Sequence, residues 1–360
     1  MKNTVIKVIS ILMVLTLTML TFAACGEKEE FEKTDVSSTT TETTTEAPKA
    51  TNINPLTGVA DLSENAIGAR PVAVMVENSP AARPQWGMST PDVIIEGVVE
   101  GGITRMMWLY ADVTKMPKVG PVRSARHDYV EIAQGMNAIY VHWGGSNLAY
   151  NKISEIGMKD IDGLKDGAYF KRDSSRSSRG TEHTGYTTGE YIAKAIANKK
   201  LTTKAKDNNW TMFKVVEDGV RLPYGGASGG AMEVNVTFSS SYKYSFKYSM
   251  DKNVYTSYLN GKAVTDGTDG KAVSFSNIIV MFSPTKVVDS EKHEDWDLSS
   301  GEALWISQGT GEKITWKKGG ANSPLKFYGT DGKELVVNKG KTWVGVVPTA
   351  QRSNFSIKES

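Results

Sequence analysis

Arginine residues are concentrated in one stretch of this 360-residue chain. Eight of the ten arginines lie between residues 70 and 179, whereas most of the lysines lie elsewhere. An arginine binds a carboxylate or phosphate through a planar fork of N–H donors, whereas a lysine offers a single, strongly hydrated charge. The distribution therefore predicts anion recognition, or internal ion pairs, in this stretch. The candidate ligand-binding residues are Arg83, Arg105, Arg123, Ser124, Arg126, His142, Arg172 and His183.

The sharpest local pattern is the pair Arg123 and Arg126, which follows a Gly-Pro loop and precedes a helical stretch. Free backbone N–H groups and the positive end of the helix dipole gather at a helix N-terminus, and two guanidinium groups there favour an anion. The alternative is that both arginines pair with Glu96, Glu100 or Asp128 and only fix the loop. The sequence leaves both interpretations open.

Acid–base chemistry is a second option, because three of the four histidines, His127, His142 and His183, lie within residues 53–204. His142 or His183 could work with Glu77 or Glu100 as a general acid–base pair. The sequence has no Gly-x-Ser-x-Gly elbow, Walker loop or Rossmann glycine fingerprint, so no cofactor is expected. It has no metal-ligand spacing such as His-x-x-x-His, and we expect no metal site.

The elements that must position these residues alternate between strands and helices over residues 53–204. Apolar, β-branched runs predict strands at 71–77, 92–99, 103–110 and 138–143. Helical periodicity predicts helices at about 125–136, 147–156 and 189–198, with Ser124 as the N-cap of the first. This order predicts a mixed α/β domain.

The pattern changes near residue 205. Eight further strands are predicted up to residue 347, and no convincing helix is found among them. Tyr242, Tyr244, Phe246 and Tyr248 alternate with Ser and Lys, which is the period of a half-buried strand. We therefore expect a fold of the α+β or α/β class, in which a second, mostly antiparallel β domain spans residues 205–360.

The first 52 residues predict an export signal and a tether. Residues 1–24 combine two lysines with an apolar run and small residues, as in a secretory signal peptide. Cys25, the one cysteine of the chain, directly follows Ala23 and Ala24. This order predicts a lipoprotein signal, with a diacylglyceryl group and an added fatty acyl chain such as palmitate on Cys25. Residues 25–52 are rich in Thr and Glu and predict a flexible spacer. We expect a protein anchored to the extracytoplasmic face of the cell membrane.

Seven short segments are distinctive: NPLTG (54–58), RPVAVM (70–75), ARPQ (82–85), VEGGITR (99–105), GPVRSAR (120–126), YVHWGGS (140–146) and GKTWV (340–344). In this order they resemble the YerB-like bacterial lipoproteins. The resemblance implies a membrane-anchored protein of two domains but no particular activity. Where the family has His-Asn after the basic loop, this chain has His183 followed by Thr184.

The composition excludes two further classes of protein. With 39% hydrophobic and 23% charged residues and a net charge of +2, the chain is neither a polytopic membrane protein nor a strongly basic nucleic-acid binder. Three hypotheses remain open. The first is a lipoprotein that binds an anionic envelope ligand, such as a cell-wall polymer, through an arginine-lined cleft. The second is an envelope hydrolase or transferase that uses a His–carboxylate pair, and the third is a scaffold for an envelope protein complex.

Overall fold

Strands and helices alternate in the N-terminal part of the protein. The structure, a computed structural model, describes residues 51–207, 209–223 and 230–359. The helices of this part are α1 (His127–Gly135), α2 (Asn147–Ile156) and α3 (Gly189–Asn198). The strands are β1 (Val72–Glu77), β2 (Val93–Val98), β3 (Thr104–Tyr110), β4 (Ile139–His142), β5 (Asp160–Asp162), β6 (Lys171–Arg172) and β7 (Gly185–Tyr186).

Side chains close in sequence cap the N-termini of two of the three α-helices. Ser146 accepts a hydrogen bond from the Ala149 N–H at the start of α2, and Thr188 accepts one from the Tyr191 N–H at the start of α3. The prediction that Ser124 caps α1 was wrong. The N-cap of α1 is Arg126, whose side chain makes no capping bond.

The C-terminal part is built mainly from antiparallel strands, as expected. Its strands are β8 (Lys214–Val215), β9 (Glu233–Ser239), β10 (Tyr242–Ser249), β11 (Val254–Leu259), β12 (Lys262–Ala263), β13 (Ser274–Phe275), β14 (Asn277–Ser283), β15 (Thr285–Val287), β16 (Glu294–Trp296), β17 (Ser300–Ser307), β18 (Thr310–Lys317), β19 (Lys326–Tyr328), β20 (Val336–Val337), β21 (Thr342–Pro348) and β22 (Ser356–Lys358). Within the described residues, its helical structure is a single 3-10 helix, Thr349–Asn354.

The two parts share one sheet. Ten strands pair in the order β19-β18-β17-β14-β21-β2-β3-β1-β4-β5. The junction is β21, a strand from near the C-terminus, which pairs in parallel with both β14 and β2. The change of pattern near residue 205 therefore does not mark a boundary between two separate sheets.

The main sheet is covered on both faces. Along β1, Ala73 and Met75 face one hydrophobic cluster, whereas Val72, Val74 and Val76 face another. The first cluster includes residues of α1 and α2, and the second includes residues of α3 and of the smaller sheet β12-β11-β10-β9-β22. This burial explains why the strands of the main sheet have nearly continuous apolar sequences.

Candidate functional site

The polar candidates gather where several parallel strands end. β1 runs parallel to β4 and antiparallel to β3, and β3 runs antiparallel to β2, so β1, β2 and β4 end at the same edge of the sheet. Glu77 ends β1, His142 ends β4, and Glu100 lies just beyond β2. Helix α1 begins close to this edge, because the Arg123 N–H donates to the Met75 carbonyl. Ligands of α/β proteins commonly bind beyond such strand ends.

Glu77 is the buried centre of one part of the site. It is only 3% exposed, and its carboxylate accepts hydrogen bonds from Ser79 Oγ at 2.9 Å and from His183 Nδ1 at 2.8 Å. Arg123 Nε lies 3.5 Å from the same carboxylate. Because Nδ1 of His183 donates to Glu77, the other ring nitrogen, Nε2, remains for a further partner and lies 3.6 Å from Glu182 Oε1.

Arg126 is paired, which corrects the expectation that it is free for an external anion. Its Nε and Nη2 donate to the two oxygens of Glu100 at 2.8 and 2.5 Å, and its side chain is only 10% exposed. Burial raises the pKa of Glu100, but the hydrogen bonds and charge of Arg126, with the charge of Arg105, outweigh it and lower that pKa to about 2. Of the two arginines Arg123 and Arg126, Arg126 therefore belongs to a structural ion pair with Glu100.

Arg105 adds a second cation to the same carboxylate. Its side chain is 2% exposed, and Nη2 lies 3.3 Å from Glu100 Oε1. Among the residues that the structure describes, its Nε and Nη1 have no hydrogen-bond partner. Burial, together with the charge of Arg126, lowers the pKa of Arg105 to about 10. Two buried guanidinium groups thus share one glutamate.

Arg123 and Arg172 are more accessible. Arg123 is 32% exposed, and in the described ranges its guanidinium makes no hydrogen bond; its ion pair is the 3.5 Å contact with Glu77. Arg172 Nη1 donates to the Thr181 carbonyl, and its guanidinium stacks over the Trp143 ring. A backbone hydrogen bond and the charges of His183, Arg123 and Arg172 lower the pKa of Glu182.

These residues form what we call the arginine cluster. Its members are Glu77, Glu100, Arg105, Arg123, Arg126, Arg172, Glu182 and His183. Arg105 is linked to Glu77 because the two are register partners on β3 and β1. The sequence did not single out Ser79 or Glu182, although Glu182 directly precedes His183 and Ser79 lies two residues after Glu77.

The remaining candidates lie outside the arginine cluster. His142 is fully buried, and its two ring nitrogens already contact the Gly144 carbonyl and Asp160, so it holds the loop after β4 rather than a ligand. Ser124 Oγ donates weakly to the Trp143 carbonyl at 3.4 Å. Arg83 donates to the Asn78 carbonyl and lines a separate pocket of about 390 Å³ beside Tyr244.

Comparison with known proteins places the chain in a family. The family described as "Protein of unknown function (DUF3048) N-terminal domain" matches residues 56–202, and its "C-terminal domain" counterpart matches residues 234–344. A protein of Bacillus subtilis (strain 168) named "Putative lipoprotein YerB" is 34% identical over 317 residues, which is 85% of this chain and 89% of that protein. The chain belongs to the YerB-like family.

A solved structure supports the same assignment. The crystal structure of the YerB protein from Bacillus subtilis superposes with a TM-score of 0.72 at 31% identity, covering 85% of this chain and 99% of that one. The two family matches correspond to the two parts of the chain, even though both parts build one sheet in this YerB-like protein. Cys25, the predicted signal peptide and the predicted tether up to residue 50 lie outside the described residues. Within the described part of the chain, no helix is long and apolar enough to cross a membrane.

Proposed function

We propose that this YerB-like lipoprotein is anchored through lipid on Cys25 at the extracytoplasmic face of the membrane. There it binds an anionic group of the cell envelope at Arg123. The sequence of residues 1–25 supports the anchor, and so does the relative that is named a lipoprotein. The observation that carries the binding proposal is the half-buried Arg123 guanidinium, which makes no hydrogen bond to the described residues.

The charge balance of the arginine cluster favours an anion. Four arginines face three glutamates, so the cluster carries a net positive charge even when His183 is neutral. The buried charges of Arg105, Arg126 and Glu100 are fixed in place, and burial keeps them weakly screened by salt. An anion at Arg123 would balance this charge and leave the ion pairs of Arg105 and Arg126 with Glu100 in place.

The geometry favours a flat or tetrahedral anion such as a carboxylate or phosphate. Arg123 could bind two oxygens of such a group through its free guanidinium edge. The Arg172 guanidinium is the next donor, because it already donates to the Thr181 carbonyl beside Glu182. His183 Nε2 adds a donor when both ring nitrogens carry a proton. Glu182 is 48% exposed and can move aside when the ligand arrives.

Isothermal titration of the full-length protein with a short poly(glycerol phosphate) tests the binding proposal. A hydrogen bond to a charged group contributes about 1.5–3 kcal/mol, so Arg123→Ala should weaken binding roughly tenfold or more. The melting temperature should hardly change, because Arg123 makes a single ion pair, at 3.5 Å, with the residues that the structure describes. Added salt should also weaken binding.

The matched control is Arg352→Ala. Arg352 is an exposed residue of the C-terminal 3-10 helix, and its guanidinium pairs with Glu302. It should leave the affinity unchanged. Equal binding by wild type and Arg123→Ala would refute the site, and so would a sharp fall in the melting temperature of Arg123→Ala without a specific loss of affinity.

The anchor is tested separately by Cys25→Ser. Cell fractionation should find the variant released from the membrane or unprocessed, because the thiol that takes the lipid is gone. Normal processing together with normal membrane retention would contradict the lipid anchor and would leave the anion site untouched.

Hydrolysis or group transfer is the second candidate, favoured by the 2.8 Å bond between His183 Nδ1 and Glu77. A buried carboxylate that orients a histidine is the arrangement of many general bases. Under this alternative, His183→Gln abolishes turnover of an envelope ester or phosphodiester while ligand binding persists. If the protein binds its ligand without catalysis, the wild-type protein shows no turnover either.

A further inference from the structure

A second group of chemically active side chains lies at the start of α1, next in sequence to Arg126. His127 and Asp128 form the first two positions of the helix, and the hairpin of β15 and β16 packs against them. The contact is specific: the Trp296 N–H donates to Asp128 Oδ1 at 3.1 Å, and the Trp296 ring stacks edge-on against Tyr129. This packing brings Asp295 to the two helix residues.

The three side chains present ligand atoms at metal-binding spacing. His127 Nε2 lies 3.1 Å from Asp295 Oδ1 and 3.6 Å from Asp128 Oδ1, and one ligand atom from each residue lies within 4.8 Å of the other two. Two ligands that are each about 2.1 Å from a tetrahedral ion are separated by roughly 3.4 Å. The observed spacing therefore needs little rearrangement to enclose an ion.

Charge and burial also favour a cation here. Asp128 is 4% exposed, and within the described residues its only ion-pair partner is the imidazole of His127. Asp295 adds a second carboxylate. In the described ranges, its one cationic neighbour besides His127 is the largely exposed Lys286 at 3.3 Å. A buried carboxylate without a firm cationic partner is costly, unless it takes up a proton or binds a metal ion.

The site is open on one side. Asp295 and Trp296 line a surface pocket of about 420 Å³ together with Lys286, so one of the three ligands, Asp295, faces solvent. Within the described part of the chain, His127 Nδ1 has no hydrogen-bond partner, and the ring is oriented through Nε2 alone. A pocket beside three protein ligands leaves a position for water or a ligand group on the metal.

We propose that His127, Asp128 and Asp295 bind a divalent transition-metal ion. One imidazole nitrogen with two carboxylate oxygens suits Zn²⁺ or Mn²⁺, whereas Ca²⁺ and Mg²⁺ prefer sets of oxygen ligands. The site is separate from the anion proposal, because none of its ligands belongs to the arginine cluster. Its role is to lock the β15–β16 hairpin to α1 and to hold one exchangeable ligand toward the pocket.

Isothermal titration of untagged, full-length protein with ZnCl₂ and MnCl₂ tests the site, with native mass spectrometry to count the ions. We expect saturable binding of one ion per chain and a rise in the melting temperature that EDTA reverses. Asp295→Asn should lower the affinity roughly tenfold or more, because it removes a ligand charge from the site. Asp295 is one-third exposed, so this variant should fold normally.

The matched control is Asp289→Asn, which lies in the same hairpin and disrupts another His–Asp hydrogen bond, the one to His293. It should bind the metal like wild type. No saturable binding by wild type, equal binding by Asp295→Asn, or an equal loss in Asp289→Asn would each overturn the site. The His127–Asp295 contact would then serve only to fix the hairpin.

Discussion

At the scale of single residues, the arginine cluster is defined by an excess of arginines over the carboxylates that neutralise them. Glu100 alone accepts from both Arg105 and Arg126, which are almost completely buried. Glu77 has a different task, since it orients His183 and approaches Arg123. One glutamate therefore holds the structural arginines, and the other serves the accessible part of the cluster.

Glu100→Gln should destabilise the protein by about 3 kcal/mol, because two buried guanidinium groups lose the carboxylate that they share. Urea unfolding followed by tryptophan fluorescence measures the free energy of unfolding. The comparison is Glu182→Gln, whose side chain is half exposed and which should change that free energy little. An equal effect of the two substitutions would mean that the Glu100 ion pairs contribute nothing to stability.

A second residue-scale prediction concerns Glu96, which is fully buried and accepts hydrogen bonds from Asn78, Thr104 and Trp343. Burial outweighs these bonds and raises its pKa from 4.5 to about 6. The folded state therefore holds the Glu96 proton more tightly than the unfolded state does. The stability that this proton contributes is present below pH 4.5 and is lost as the pH rises through about 6.

The Glu96→Gln variant isolates this effect, because an amide does not titrate. The free energy of unfolding of wild type, minus that of the variant, should fall by about 2 kcal/mol between pH 4 and pH 7. Any constant offset caused by the amide cancels in that comparison. A difference that stays level with pH would show that Glu96 titrates alike in the folded and unfolded chains.

At the scale of elements, close packing fixes the β15–β16 hairpin on the sheet. The Trp296 ring lies on Gly97 of β2, and its indole N–H donates to the Val98 carbonyl at 2.9 Å. A Cβ atom added at Gly97 would lie 2.3 Å from the ring, which is far inside van der Waals contact. The hairpin can therefore dock only where β2 has no side chain.

Gly97→Ala should cost about 1–3 kcal/mol of stability, because the buried Trp296 ring must move to admit the methyl group. Thermal unfolding and near-ultraviolet circular dichroism report the stability and the ring environment. Gly320→Ala is the control, since a Cβ atom there would meet no atom of the described residues within 4 Å. Normal stability of Gly97→Ala would mean that the hairpin is held by other contacts.

At the scale of the whole molecule, β21 joins the two parts of the chain that the sequence pattern divides near residue 205. It lies between β14 and β2 with parallel pairing on both sides, and its Trp343 contacts the second sheet at Phe246. Without β21, β2 would become an unpaired edge of an apolar sheet. The two parts of the chain therefore depend on each other.

We expect the fragment of residues 53–204 to lack a cooperative thermal transition by circular dichroism, since it has lost the strand beside β2. Co-expression with residues 205–360 should restore the transition and yield a complex of the two fragments. Cooperative unfolding of the isolated fragment would show that the first part is an independent domain despite the shared sheet.

The sequence by itself determined the local elements. Helices α2 and α3 lie at the predicted residues, because their apolar spacing and the Ser146 and Thr188 caps are properties of adjacent residues. The strands β1 to β4 were found for a similar reason, since a strand buried on both faces has a continuous apolar sequence.

Only the tertiary structure decided which of these elements meet. Glu77 and His183 are 106 residues apart in sequence, and His127 and Asp295 are 168 apart, so no spacing rule could pair them. For the same reason the sequence did not predict the position of β21 in the main sheet. A strand's own residues do not specify its parallel neighbours. Pairing depends on burial summed over the whole sheet, which becomes defined only when the chain has folded.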